Sequence, residues 1–301
     1  LAHSWSGNLV TNAVWSDLWL NEGFTVYLEA LIMEAVYGED RRRMEDVLGY
    51  RSLLEEFETL PPGDQLLAAN LAGRDPDDAF SNVAYEKGRL FIIWLESRIG
   101  REPMAVFLRE YFEQFAFQSI TTPRFETYAL EKLGEAGLTQ DDLDRWLREP
   151  GLPEDAVLPT SDAFERIDAV AAEWLAGDRA PEAVPFGEWS VHEQLYFLSL
   201  VPESIDGEVL AALDAAHGLT GAANAEVAHR WYRIAIAQRY EPAFAALTAY
   251  LEEIGRIKLV RPLYEALFVS DWGAPMASEI YARARAGYHP LTQSTIDALV
   301  P

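Results

Sequence analysis

The stretch LAHSWSGN at residues 1–8 is followed by the triplet NEG at residues 21–23. His3 and Glu22, one in each stretch, are nineteen positions apart. Apolar residues recur at intervals of three and four across residues 18–36, which predicts a helix that carries Glu22. The sequence thus places an imidazole shortly before a helix and a carboxylate on it, and both groups bind metal ions in proteins.

The spacing of these two residues fits one half of a known metal motif. In HExxH, two histidines one helical turn apart bind zinc, and the glutamate between them acts as general base. If His3 is the second histidine of such a motif, the first histidine and the base lie four and three residues earlier, before Leu1. We therefore interpret the chain as an N-terminally truncated site, with His3 and Glu22 as zinc ligands.

Three further stretches support this interpretation: VAYEKG at residues 83–88, PGLP at residues 150–153 and GRIK at residues 255–258. Together with the first two, they resemble the zinc aminopeptidase (gluzincin) family of leukotriene A(4) hydrolase, aminopeptidase B and aminopeptidase N. The order of the stretches is most similar to the leukotriene A(4) hydrolase branch, and the resemblance covers essentially the whole chain. It implies an enzyme that removes N-terminal residues from peptides, with one Zn2+ ion per intact site.

The expected fold is mainly α. Residues 1–150 are predicted to be the helical part of a thermolysin-like catalytic domain, and residues 151–160 a proline-rich linker. In residues 161–301, amphipathic segments of about 12–18 residues alternate with short breaks at glycine or proline. Stacked antiparallel helices would bury such one-sided apolar stripes, so this part is predicted to be a helical solenoid of the HEAT/ARM type.

Turn residues and caps locate the elements around the candidate site. Residues 60–78 are rich in proline, glycine and aspartate, which predicts an irregular loop that can line a substrate cleft. Ser81 or Asn82 can cap a helix over about residues 83–98, which places Tyr85 in its first turn.

Two more helices are predicted at residues 103–115 and 123–133, the second capped by Thr122. A capping box of Thr139 and Asp142 predicts a last short helix in this half.

The resemblance assigns further roles near the metal. Tyr85 matches the family tyrosine whose phenol donates to the transition-state oxyanion, and the alternative is an aromatic residue packed in the core. Glu29 lies seven residues after Glu22, on the same helix face, where a carboxylate can orient a ligand imidazole. The alternative for Glu29 is a solvated helix face. Asn21 is assigned, like Glu29, to the residues that surround the metal ligands and support them.

Four residues are candidates for substrate binding. Arg256 and Lys258 match cations that grip the substrate carboxylate in the leukotriene A(4) hydrolase group, and a solvated basic cluster is the alternative. Asp77 matches an aspartate of the substrate cleft, although acids in such turns often serve only the turn. Phe80 stands where the group has a tyrosine, which removes a hydroxyl and weakens the expectation of lipid-epoxide hydrolysis.

The 301-residue chain contains no cysteine and has a formal net charge of -25 at pH 7. Without thiolates, any metal must be held by histidine and carboxylate. The negative charge disfavours nucleic acid and anionic membranes as partners, because both require basic surface, and it favours cationic peptides. With no apolar span and no signal peptide in the chain, we expect a monomeric, cytoplasmic protein that acts on peptides. Leu1 is not an initiator methionine, which leaves open an upstream leader.

Two hypotheses of different class result. In the first, the chain is a fragment of a zinc metallo-aminopeptidase, inactive by itself because one zinc histidine and the general-base glutamate lie outside it. In the second, it is a helical module that binds proteins or peptides and retains a vestigial zinc site. A His-Glu pair directly before Leu1 would favour the first hypothesis, and any other pair would favour the second.

Overall fold

The computed structural model describes residues 1–74, 81–202 and 204–300, and it divides into two compact units, Leu1–Ser161 and Asp162–Pro301. Both units are mainly helical in their described parts, which confirms the predicted fold class. Within the described residues, the helices lack the combination of length and apolar character that crossing a bilayer requires.

The first unit consists of helices and two very short strands. In chain order these are β1 (Val10–Asn12), α1 (Trp19–Tyr37), α2 (Glu39–Phe57), α3 (Gly88–Ile99), α4 (Arg101–Gln114), β2 (Gln118–Ile120), α5 (Thr122–Leu133) and α6 (Gln140–Arg148). A π-helical turn, Val83–Lys87, leads directly into α3. Shorter 3-10 turns include Ala2–Ser4, Trp15–Asp17 and Pro62–Asp64.

Aromatic side chains form the centre of the first unit. Trp19 and Phe24 of α1 are fully buried, and Phe24 stacks on Tyr111 of α4 with ring centroids 5.1 Å apart. Phe125 of α5 meets Trp19 edge to face at 5.2 Å, and Phe91 of α3 meets Trp19 at 5.6 Å. These contacts hold the first turns of α1 rigidly, because large buried rings offer contact area and few alternative rotamers.

The two strands are a feature that the helical periodicity did not predict. β1 pairs with β2 in parallel, with Val10 opposite Gln118 and Asn12 opposite Ile120. Each strand has three residues, which is too short for an apolar alternation to be visible in the sequence. The pairing brings residues shortly after His3 next to the segment that precedes α5.

The start of α5 differs from its prediction by one residue. Thr121, not Thr122, is the N-cap, and Thr122 is the first helical residue. The N–H and hydroxyl of Thr122 both donate to Oδ1 of Asp17 at 2.8 Å, so its side chain is used in a buried tertiary contact. The predicted capping box of Thr139 and Asp142 is confirmed.

The second unit is a stack of helices. These are α7 (Asp162–Leu175), α8 (Val191–Ser199), α9 (Gly207–His217), α10 (Ala225–Ala237), α11 (Phe244–Glu253), α12 (Ile257–Phe268), α13 (Gly273–Ala284) and α14 (Pro290–Asp297). Helices α8, α10, α12 and α14 pack in succession, and α11 packs on α13. Contacts between alternate helices are the arrangement of a two-layered solenoid, as predicted.

The segment predicted as a linker lies within the first unit. Residues 151–160 form neither helix nor strand, and Leu152 and Ala156 pack against the core. Asp155 accepts a hydrogen bond from Nε1 of Trp94 at 3.0 Å. The first part of this segment is therefore attached to the first unit, while the domain boundaries given above stay a prediction.

Candidate functional site

His3 lies in the turn that precedes β1, with both ring nitrogens directed at polar groups. Its Nδ1 is 3.0 Å from the backbone oxygen of Ser6 and 3.2 Å from Oγ1 of Thr25 on α1. Its other ring nitrogen, Nε2, is 3.6 Å from Oε2 of Glu22. Gly7 has a φ of +119° and passes so close that a Cβ there would lie 3.1 Å from His3 Nδ1.

Glu22 is in the first turn of α1 and is mostly buried, whereas the side chain of His3 is 57% exposed. Burial raises the pKa of Glu22, and the neighbouring His3 imidazole partly offsets this effect. The two predicted ligands are thus side by side, with an imidazole nitrogen facing a carboxylate oxygen. Among the described residues, no group of three histidine, aspartate or glutamate side chains has the arrangement of a metal site.

A close helix crossing places Tyr85 beside Glu22. Gly23 of α1 faces Gly88 at the start of α3, and a Cβ on Gly23 would lie only 2.8 Å from the Cα and carbonyl carbon of Gly88. Two backbones can approach this closely only where both residues lack side chains. The crossing therefore brings Glu22, one residue before Gly23, near Tyr85, three residues before Gly88.

The phenol of Tyr85 remains protonated at neutral pH. Burial raises its pKa, and the negative charge of Glu22 raises it further. Tyr85 lies in the π-helical turn, and single π-helical turns often occur at functional sites. At neutral pH its hydroxyl therefore carries its proton, close enough to the His3–Glu22 pair for the charge of Glu22 to act on it.

Buried charges hold the π-helical turn in place. Arg89 is 1% exposed, its Nε donates to Glu86 at 3.0 Å, and its guanidinium also pairs with Asp46 of α2. The carboxylate of Glu86 occupies a notch at Gly49, where a Cβ would lie 2.5 Å from it. Burial raises the pKa of both Asp46 and Glu86, and Arg89 opposes this shift.

Lys87 attaches the same turn to two other segments. Its ammonium donates to the backbone oxygens of Gln65 at 2.9 Å and Glu149 at 2.7 Å, and its side chain is completely buried. Burial lowers the pKa of Lys87 to about 7. The loop after α2 and the end of α6 are therefore both tied to the turn that carries Tyr85.

Glu29 and Asn21 are not partners of His3. Glu29 is exposed on α1, and the Nδ1 of His3 is engaged with Ser6 and Thr25 instead. If Glu29 orients an imidazole, that imidazole belongs to another histidine. Asn21 exchanges two hydrogen bonds with Asn12 of β1, at 2.5 and 2.9 Å, and so fixes the start of α1 against the strand.

The substrate candidates of the second unit lie at the start of α12. Arg256 precedes the helix, and its guanidinium is 3.4 Å from Glu226 of α10, while Lys258 is 3.8 Å from the same carboxylate. Both side chains are about two-thirds exposed, at 65% and 67%. The other two candidates, Asp77 and Phe80, lie outside the described residues.

The sequence analysis did not identify the groups that hold the two predicted ligands, His3 and Glu22, in position. Ser6 and Thr25 contact His3, and the Gly23–Gly88 crossing aligns Glu22 with Tyr85. Ser6 and both glycines belong to the stretches on which the resemblance was based. Their presence in these stretches indicated that they matter for the site, but the sequence did not show which residues they contact.

Comparisons with known proteins match both parts of the chain to described families. Residues 1–146 match the family described as Peptidase family M1 domain, and residues 189–300 match Leukotriene A4 hydrolase, C-terminal. A leucine aminopeptidase 2 from Ajellomyces capsulatus is 34% identical, over 98% of this chain and 49% of its own length. A leukotriene A-4 hydrolase homolog from Botryotinia fuckeliana is 32% identical, over 99% of this chain and 47% of its own length. The chain therefore spans about half the length of these relatives.

A solved structure of yeast leukotriene A4 hydrolase in complex with bestatin is similar over both units. Its TM-score is 0.86 at 28% sequence identity, and the match covers 99% of this chain and 52% of that chain. The native enzyme from Saccharomyces cerevisiae has a TM-score of 0.83 at 29% identity, with the same coverage.

Proposed function

Because residues 1–146 belong to the peptidase family M1 and residues 189–300 to the leukotriene A4 hydrolase C-terminal family, we propose that the chain forms part of a zinc aminopeptidase. The enzyme would remove N-terminal residues from peptides. The observation that carries this proposal is the imidazole nitrogen of His3 facing the Glu22 carboxylate, with a protonated Tyr85 phenol close by.

The donor set of the pair fits a zinc ion. An imidazole nitrogen and a carboxylate oxygen that hold one Zn2+ ion with bond lengths of about 2.0–2.2 Å would lie about 3.3–3.6 Å apart. The observed separation between Nε2 of His3 and Oε2 of Glu22 is 3.6 Å. His3 would bind through Nε2 and Glu22 through Oε2. When bound, the ion would supply Lewis-acid activation of water and of the substrate carbonyl.

Tyr85 would contribute the second element of catalysis. Its phenol would donate a hydrogen bond to the oxygen of the scissile carbonyl as negative charge develops there. Burial and then the charge of Glu22 raise the pKa of the phenol, so the proton stays on its oxygen at neutral pH. The Gly23–Gly88 crossing holds donor and ligand together before substrate binds, so little reorganisation would be needed during the reaction.

A catalytic zinc site uses three protein ligands, and peptide hydrolysis also needs a general base. We propose that the further histidine and the glutamate base precede Leu1 in a longer protein, which we call the intact enzyme. On this proposal the 301-residue chain alone has no peptidase activity, and cytoplasmic location and a monomeric state stay predictions.

The 301-residue chain is expected to bind zinc weakly or not at all, because two protein ligands do not replace a three-ligand shell. Equilibrium dialysis with zinc measures this directly. Tight stoichiometric binding that both His3→Ala and Glu22→Ala abolish would contradict the prediction. In the intact enzyme, each of the two variants should lose most of its zinc, and full retention in both would indicate a vestigial role for the pair.

The binding of a substrate carboxylate is proposed for Arg256 and Lys258. In the intact enzyme, Arg256→Ala should lower kcat/KM for a tripeptide with a free C-terminus by about 10- to 100-fold, since charge-assisted hydrogen bonds are lost. Lys258→Ala should cost less, because an ammonium offers one compact charge and no planar fork. A neutral aminoacyl arylamide, which has no carboxylate, should be affected by a few-fold at most.

Arg261→Ala is the matched control, since Arg261 lies on α12, five residues after Arg256, and forms an exposed ion pair with Glu265 at 2.7 Å. Equal losses on both substrates, or no loss on either, would leave Arg256 and Lys258 as a solvated cluster paired with Glu226. Asp77 and Phe80 keep their proposed places in the substrate cleft.

A further inference from the structure

Ser6 is completely buried and connects the two proposed zinc ligands. Its hydroxyl donates to the backbone oxygens of Leu20 at 3.0 Å and Asn21 at 2.7 Å, in the first turn of α1. Its own backbone oxygen is 3.0 Å from Nδ1 of His3. The same residue therefore contacts the imidazole and the helix turn that carries Glu22.

Thr25 completes this connection from the other side. Its hydroxyl donates to the Ser6 backbone oxygen at 3.1 Å, and its Oγ1 is 3.2 Å from Nδ1 of His3. Thr25 lies three residues after Glu22, so both side chains are on the same face of α1. Because the hydroxyl proton is used on Ser6, the Thr25 oxygen meets His3 as an acceptor.

These contacts decide the tautomer of the imidazole. A carbonyl oxygen can only accept, so the contact with Ser6 is a hydrogen bond only if Nδ1 of His3 carries the proton. In the opposite tautomer, two unprotonated acceptors would face each other at 3.0 Å, one of them the backbone oxygen of the buried residue Ser6. The neutral ring must then have its lone pair on Nε2, which is the nitrogen that faces Glu22.

We propose that Ser6 and Thr25 are positioning residues that hold His3 as the Nδ1–H tautomer and keep its Nε2 lone pair directed at the position beside Glu22. The consequence for metal binding rests on the proposed zinc function. The tautomer itself does not, because it follows from contacts within the chain. Ser6 fixes the position of the imidazole relative to the first turn of α1. Thr25 orients the Ser6 carbonyl, which accepts the hydrogen bond from Nδ1–H of His3.

The test is a long-range 1H–15N correlation spectrum of the zinc-free 301-residue chain with 15N-labelled histidine. It is recorded at about pH 8.5, well above the usual histidine pKa of about 6.5. His3→Gln identifies the His3 signals among the five histidines. Wild-type His3 should show a protonated Nδ1 and an unprotonated Nε2. A predominant Nε2–H tautomer in the wild type would overturn the proposal.

Thr25→Val, which keeps the shape and removes the hydroxyl, should shift the His3 tautomer ratio about fivefold toward Nε2–H, the factor for one ordinary hydrogen bond. Thr25→Ser should restore the wild-type ratio. Thr127→Val is the matched control, because its hydroxyl bonds only to Pro123 on α5, and it should leave His3 unchanged. An unchanged ratio in a folded Thr25→Val chain would also overturn the proposal.

A second measurement separates this proposal from the proposed function. In the intact enzyme, Thr25→Val and Ser6→Ala should each weaken zinc binding by about 10- to 100-fold, the usual effect of removing an outer-shell partner of a ligand histidine. Thr25→Ser should stay within a few-fold. If the spectra show the expected tautomer but His3 contributes nothing to zinc binding, the zinc function fails while the positioning of His3 stands.

Discussion

Replacing Arg89 by methionine is expected to lower the free energy of unfolding of the first unit by about 3–5 kcal/mol, the usual effect of removing one partner from a buried ion pair. The guanidinium pairs with two carboxylates, Asp46 and Glu86, at a position where its side chain is 1% exposed. Without it, both acids lose a buried cation, although Arg42 still contacts Asp46 at 2.7 Å. Burial would then raise the pKa of both acids further.

Urea unfolding of the full chain measures this change in the free energy of unfolding. Hydrogen exchange in peptides from α2 and α3 shows whether the change occurs in the first unit. Arg43→Met is the matched control: Arg43 also pairs with a glutamate, Glu39, but at the exposed start of α2, and its loss should cost under about 0.5 kcal/mol. Glu86→Gln should recover part of the stability lost in Arg89→Met, since one uncompensated buried charge is removed. A loss below about 1 kcal/mol for Arg89→Met would show that the cluster does not hold the turn.

Tyr85→Phe in the intact enzyme is expected to lower kcat by about 10²–10³, while zinc content and fold are retained. The substitution removes only a hydroxyl, so the packing of the π-helical turn stays nearly the same. The hydroxyl matters most when the carbonyl oxygen carries negative charge, so the loss should fall mainly on kcat, with little change in KM.

Tyr37→Phe, at the exposed end of α1, is the control and should leave kcat unchanged. A few-fold effect of Tyr85→Phe would reassign Tyr85 to packing in the first unit. A loss of zinc together with activity would instead indicate that the hydroxyl supports Glu22, since the charge of Glu22 is close enough to raise the pKa of the phenol.

The sequence predicted helices at both parts of the site because such predictions depend on short-range rules, although the first turn of the second helix is a π-helical turn and the Asn82 side chain does not cap it. The spacing of apolar residues predicted α1, and turn chemistry predicted the segment that presents Tyr85. The stretches around His3 and Glu22 were sufficient for the family resemblance, which the comparisons confirm. Each of these inferences uses residues that are adjacent, or that are separated by whole turns of one helix.

Only the tertiary structure decided how the parts meet, because such contacts join residues far apart in the chain. The Gly23–Gly88 crossing brings Glu22 close to Tyr85. The spacing of apolar residues in the sequence does not predict which two glycines will be in contact. Thr122 was predicted as a cap, but its hydroxyl and N–H bond to Asp17, 105 residues away. The tautomer of His3 likewise depends on a carbonyl and a hydroxyl whose directions are set by folding. Residue types and spacing thus determined which chemistry the chain can carry, while backbone approach and buried hydrogen bonds determined the geometry in which its groups are held.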